Sequence, residues 1–121
     1  MKGVINQWLN QNAHVQGVLG GAVRCSEEML MLPSSSAGVT PQNLENALRC
    51  VADTFQILER NRLPIGHLRW VYEHALLWCV RRTDGVILAL LTHKDPQGVD
   101  MEGLGKMLDE FSTIGAPPLH I

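Results

Sequence analysis

Leu77-Trp78-Cys79-Val80-Arg81-Arg82-Thr83-Asp84-Gly85-Val86-Ile87-Leu88-Ala89-Leu90-Leu91 reads as two apolar runs joined by a short polar turn. Asp84-Gly85 supplies the positive φ angles of a tight hairpin, so the two runs pair as antiparallel strands. Val86 to Leu91 has no polar residue on either parity. Both faces of that strand must therefore be covered, which puts it at the centre of a sheet with helices on both sides. Upstream, after the break Asn61-Arg62-Leu63-Pro64, Trp70, Val71 and Tyr72 continue the β-rich character. Three strands are expected, at about 67–73, 76–82 and 86–92. Leu68 to Tyr72 mixes Arg69 with Trp70, as an edge strand does, and the turn Glu73-His74-Ala75 lacks Gly, Asn or Pro.

The segment before this sheet holds the best-marked helix. Thr40 caps it, Pro41 fits its first turn, and Leu44, Leu48, Val51, Phe55 and Leu58 recur at steps of four and three up to about Glu59. Beside that stripe lies a second, milder one of Ala47, Cys50, Thr54 and Ile57, where a solvated flank would carry Lys and Glu. That flank calls for a partner, either another element of the chain or a second copy. Farther upstream, Val4, Ile5, Trp8 and Leu9 give an amphipathic helix over about 2–13. Gly17 to Arg24 and Glu28 to Leu32 then read as a hairpin, with Gly20 and Gly21 marking a close backbone approach. Pro33 to Gly38 is a loop by composition. Downstream, after a loop at 93–99, Asp100 caps a last helix lined by Leu104, Met107, Leu108 and Phe111 and ended by Gly115 and Pro117-Pro118. The expected fold is α+β, a five-stranded mainly antiparallel sheet in α-β-β-α-β-β-β-α order, with one helix on one face and two on the other.

Length and composition narrow the function. At 121 residues the chain has room for one domain, and folding buries about two thirds of its extended-chain surface. Hydrophobic residues are 45% and charged residues 18%, an ordinary globular balance. A formal net charge of −2 gives no basic excess for a nucleic-acid backbone or an anionic membrane. Cys25, Cys50 and Cys79 are odd in number and have no CxxC spacing, which argues against a disulfide framework or zinc knuckle and fits a reducing, cytoplasmic setting. The N-terminus turns polar too early for a signal peptide, and the longest apolar run, Val86 to Leu91, falls far short of the ~20 residues of a membrane span.

Little in the chain points to catalysis. Cys25, expected half-exposed at a hairpin tip, has no histidine at a spacing that would make it a nucleophile, and Cys50 and Cys79 read as small packing residues. His67, His74 and His93 fall on different strands and loops without acidic partners at ligand spacing, so no metal site is expected. Gly17-Val18-Leu19-Gly20-Gly21 lacks the GK[ST] of a phosphate loop. Arg81 and Arg82 at the hairpin end could grip a phosphate or a partner's carboxylate and are candidate partner contacts. Trp70, on the edge strand, is the tryptophan most suited to an interface.

With this order of elements, the chain resembles the roadblock/dynein light chain family, small α/β modules related to longin and profilin-like sheets. The resemblance rests on Val15-Gln16-Gly17-Val18-Leu19-Gly20-Gly21-Ala22-Val23, on the amphipathic helix Leu44 to Leu58, and on Leu77 to Leu91, and it spans nearly the whole chain. The chain departs from the family at the first hairpin, where Cys25-Ser26-Glu27-Glu28 replaces an acidic-x-x-Gly turn. The resemblance implies a non-catalytic binding module with no cofactor. It implies a homodimer formed through the middle helix and the sheet edge, here Ala47, Cys50, Thr54, Ile57, Leu68, Trp70 and Tyr72, and work beside a Ras-like small GTPase or another regulatory protein. A PAS-like or GAF-like small-molecule sensor is the alternative, and it would need an enclosed pocket with convergent polar groups.

Overall fold

A computed structural model describes residues 2–12, 14–25, 28–32, 38–63 and 66–114. Its elements are α1 (Lys2–Gln11), β1 (Val18–Cys25), β2 (Glu28–Met31), α2 (Pro41–Arg60), β3 (His67–Val71), β4 (Ala75–Arg81), β5 (Ile87–His93), a short 3-10 turn (Pro96–Gly98) and α3 (Met101–Phe111). The five strands form one sheet in the order β2-β1-β5-β4-β3, and every neighbouring pair is antiparallel. The doubly apolar strand β5 sits at the centre and β3 at an edge, as their residue patterns require.

The two faces of the sheet carry separate cores. On one face, Ile5, Trp8 and Leu9 of α1 and Leu104, Met107 and Phe111 of α3 pack on Val23, Val80, Leu88 and Leu90. On the other, Leu44, Leu48, Val51 and Phe55 of α2 pack on Ala22, Leu77, Cys79, Ile87 and Ala89. The alternation along β4 and β5 is what assigns each residue to its side. At Gly21, β1 has no room for a side chain beside β5. A Cβ there would lie 2.7 Å from Leu90 Cδ2 and 3.0 Å from the Ala89 carbonyl, and the ladder slips between Val18 and Gly20.

Local chemistry explains where the elements stop. Just past α1, Asn12 donates to the Trp8 carbonyl twice over, from its backbone N–H at 3.1 Å and its side-chain Nδ2 at 2.9 Å, while the expected end of the helix at residue 13 lies outside the described residues. Thr40 Oγ1 accepts the Asn43 N–H at 3.1 Å and caps α2. At the other end, Arg62 takes a left-handed φ of 61° and the Leu63 N–H reaches back to the Leu58 carbonyl at 2.8 Å. The β4–β5 turn differs from the two-residue form. The Arg82 N–H bonds the Val86 carbonyl across a three-residue loop, and only Gly85, at φ 87°, is left-handed. β3 ends at Val71 because the Tyr72 N–H bonds the Ala75 carbonyl at 2.9 Å, turning the chain without any positive φ. The expected loop at 33–37, the hairpin tip Ser26-Glu27, and the terminators Gly115 and Pro117-Pro118 lie outside the described residues. Among the described residues no helix is long and apolar enough to cross a membrane.

Candidate interaction surface

The inner stripe of α2 leaves its neighbouring flank without cover. Ala47 and Thr54 are half-buried, Cys50 is exposed, and Ile57 is 55% exposed. The Thr54 hydroxyl donates to the Cys50 carbonyl at 2.9 Å, so this polar group is turned back into its own helix and leaves the flank smooth. β3 lies beside that flank. Its residues Leu68 and Trp70 point to the α2 side and are half-buried, and Tyr72 beyond them is 46% exposed. Between helix and strand runs a groove of about 220 Å³ lined by Asn46, Ala47, Cys50, Val51, Trp70 and Tyr72. Four of the seven expected interface residues, Ala47, Cys50, Trp70 and Tyr72, line this groove, while Thr54 and Ile57 lie farther along α2 and Leu68 farther along β3. Burial, and after it the charges of Cys79 and Cys50, push the Tyr72 phenol above its ordinary range. The Trp70 indole N–H is buried and has no hydrogen-bond partner.

The margin also has free backbone. Gly66 accepts from the Arg81 N–H and Ala75 from the Tyr72 N–H, which sets the phase of the β3–β4 ladder. Even-numbered residues of β3 thus bond to β4, and His67, Arg69 and Val71 turn their N–H and C=O groups outward along the sheet edge. Such an edge is a template for another strand.

The two arginines have different fates. Arg82 is 5% exposed: its guanidinium donates to the Phe111 and Ile114 carbonyls at the end of α3, lies 5.2 Å from the Phe111 ring centre and pairs with Asp84. It is a structural clamp, and its side chain does not reach the surface. Arg81 lies on the α2 side, 2.9 Å from Glu59, with part of its side chain exposed. Two adjacent arginines on a strand face opposite ways, and the parity of β4 was the signal that separates them.

Two of the three cysteines fall differently from their sequence reading. Cys25 is buried, not half-exposed, because it is the last residue of β1 and faces the α1/α3 core. Cys50, read as a packing residue, is exposed. Cys79 lies in the α2 core, where burial pushes its thiol up to about 12. His67 opens β3, His74 sits in the β3–β4 turn and His93 ends β5, opposite Ala75 in the ladder. No family model matches the chain, and no curated protein matches it.

Proposed function

We propose that the chain is a non-catalytic interaction module of the roadblock type, which pairs with a second copy and regulates or scaffolds a Ras-like small GTPase in the cytoplasm. The observation that carries this reading is the continuous uncovered margin: a charge-free flank of α2, a half-buried aromatic strand and an open backbone edge lie side by side. Two copies related by a twofold axis would add β3 to β3 and lay the α2 flanks together. Burying Ile57 and Tyr72 in that contact contributes roughly 1.5–3 kcal/mol per fully covered large side chain. An effect on GTP hydrolysis would come from holding the GTPase's own switch segments, since Arg82 is committed within the fold and Arg81 to Glu59.

Two measurements test the reading. Light scattering at micromolar concentration is expected to give twice the chain mass, and a monomer there removes the pairing. Titration with Ras-like GTPases loaded with GDP or a GTP analogue is expected to show binding to one nucleotide state in preference. Absence of binding in both states removes the regulator role.

A further inference from the structure

The opposite face of the sheet carries a second opening. There α1 and α3 cover the strands from β2 to β4, and β3 lies bare, with His67, Arg69 and Val71 exposed and Val71 at 60%. Between β3 and α3 runs a groove of about 300 Å³, whose lining includes His67, Arg69, Trp78, Val80 and Leu108. Trp78 forms the floor, held in place because its Nε1–H donates to Thr92 Oγ1 at 3.0 Å. The Arg69 guanidinium stands 5.4 Å from the centre of the Trp78 ring, a cation on a π face. Among the described residues no carboxylate lies within 4.0 Å of Arg69, so its permanent charge is poised but unpaired.

Helix α3 contributes an independent observation. A glycine inside a helix costs about 1 kcal/mol against alanine and needs a reason. Gly103 has one: a Cβ would sit 2.5 Å from Asp100 Oδ2, in the cap of the helix. Gly105 has none among the described residues, where a Cβ would meet nothing within 4 Å. It lies one turn before the groove residue Leu108 and four residues after Met101, which is 43% exposed. The bare backbone at Gly105 leaves room on the groove's flank for another chain to come close.

We propose that this groove docks a segment of a partner protein carrying an apolar side chain next to a carboxylate. The apolar group rests on Trp78, Val80 and Leu108, and the carboxylate accepts hydrogen bonds from the Arg69 guanidinium. The inference rests on the interaction-module reading but not on pairing of copies, because the groove is on the sheet face away from α2. Pairing through β3 would bring two Arg69 side chains onto one surface, and that favours an acidic segment over a second copy as the occupant.

The test uses three blocked tripeptides, acetyl-Leu-Glu-Leu-amide and its Gln and Lys counterparts, titrated into the isotope-labelled full chain. The readouts are the Trp78 indole N–H resonance, assigned through Trp78→Phe, and the Gly105 amide. The Glu peptide is expected to shift both signals saturably and to bind about fivefold more tightly than the Gln peptide, as an exposed ion pair permits. The Lys peptide is expected to bind weakest. Arg69→Gln should bring the Glu peptide down to the Gln level, and Gly105→Leu should weaken both while the spectrum stays folded. Equal binding of all three peptides, shifts confined to the α2 margin, or no shift at millimolar peptide would each overturn the docking site. Light scattering and the GTPase titration report separately on the proposed function.

Discussion

A guanidinium buried as deeply as Arg82 has to find acceptors, and it finds them at the end of α3 and in Asp84. Removing it strands the Phe111 and Ile114 carbonyls, and Arg82→Ala is expected to lose about 2–3 kcal/mol of stability, measurable by urea denaturation. The Asp84 carboxyl carries the pH dependence of this clamp. Burial raises its pKa, but the hydrogen bonds it accepts from Arg82 and the Val86 N–H, with the charge of Arg82, outweigh that and hold it below its usual range. A carboxyl depressed on folding stabilises above its unfolded value of about 3.9 and loses that contribution as pH falls through its folded value. The gap in melting temperature between the wild-type chain and Asp84→Asn should therefore be largest above about pH 5 and close in more acidic buffer. A gap that stays constant down to acid would contradict the clamp. Thiol chemistry offers a second check at this scale. With Cys79 pushed up to about 12 and Cys25 buried, an alkylating reagent at neutral pH should modify Cys50 first, the others only after denaturation. Similar rates at all three would disprove the placement.

Two glycines two residues apart in α3 should respond in opposite directions. Gly103→Ala pushes a methyl group into the Asp100 cap and should destabilise the chain by about 1 kcal/mol or more, while Gly105→Ala fills open space and should stabilise it by up to about 1 kcal/mol. Thermal melts of the pair settle it, since shifts of the same sign would mean that α3 sits elsewhere. The helices and strands themselves were legible in the chain. The unbroken apolar run Val86 to Leu91 required a central strand, and the four-three spacing from Leu44 to Phe55 required a one-sided helix. The flank of α2 was readable from its missing charges. The parity of β4 puts Arg82 on the α3 side, but the depth of its burial was not readable, because that depends on carbonyls 29 and 32 residues away. Nor was the Trp78 groove, which forms only where α3 stops short of β3 and which no spacing along the sequence encodes.

At the level of the whole molecule, the sheet is a partition with a core on each side, and beside β3 a groove opens on each face. If that margin joins two copies, Ile57→Glu should yield monomer on sizing with its fold intact, since Ile57 is already half in water in the single chain. Cys50 should then report the same event chemically. Its alkylation should slow as wild-type concentration rises and stay constant for Ile57→Glu; concentration-independent rates in both would count against the contact.

The two rims of the sheet are unequal. β2 is only four residues long, and the chain leaving it still donates from the Leu32 N–H to the Gly21 carbonyl. A ribbon built by joining two β3 rims would carry ten strands, and its two outer ends would both be β2 rims, so any further growth would have to start from a different strand from the one that made the pair.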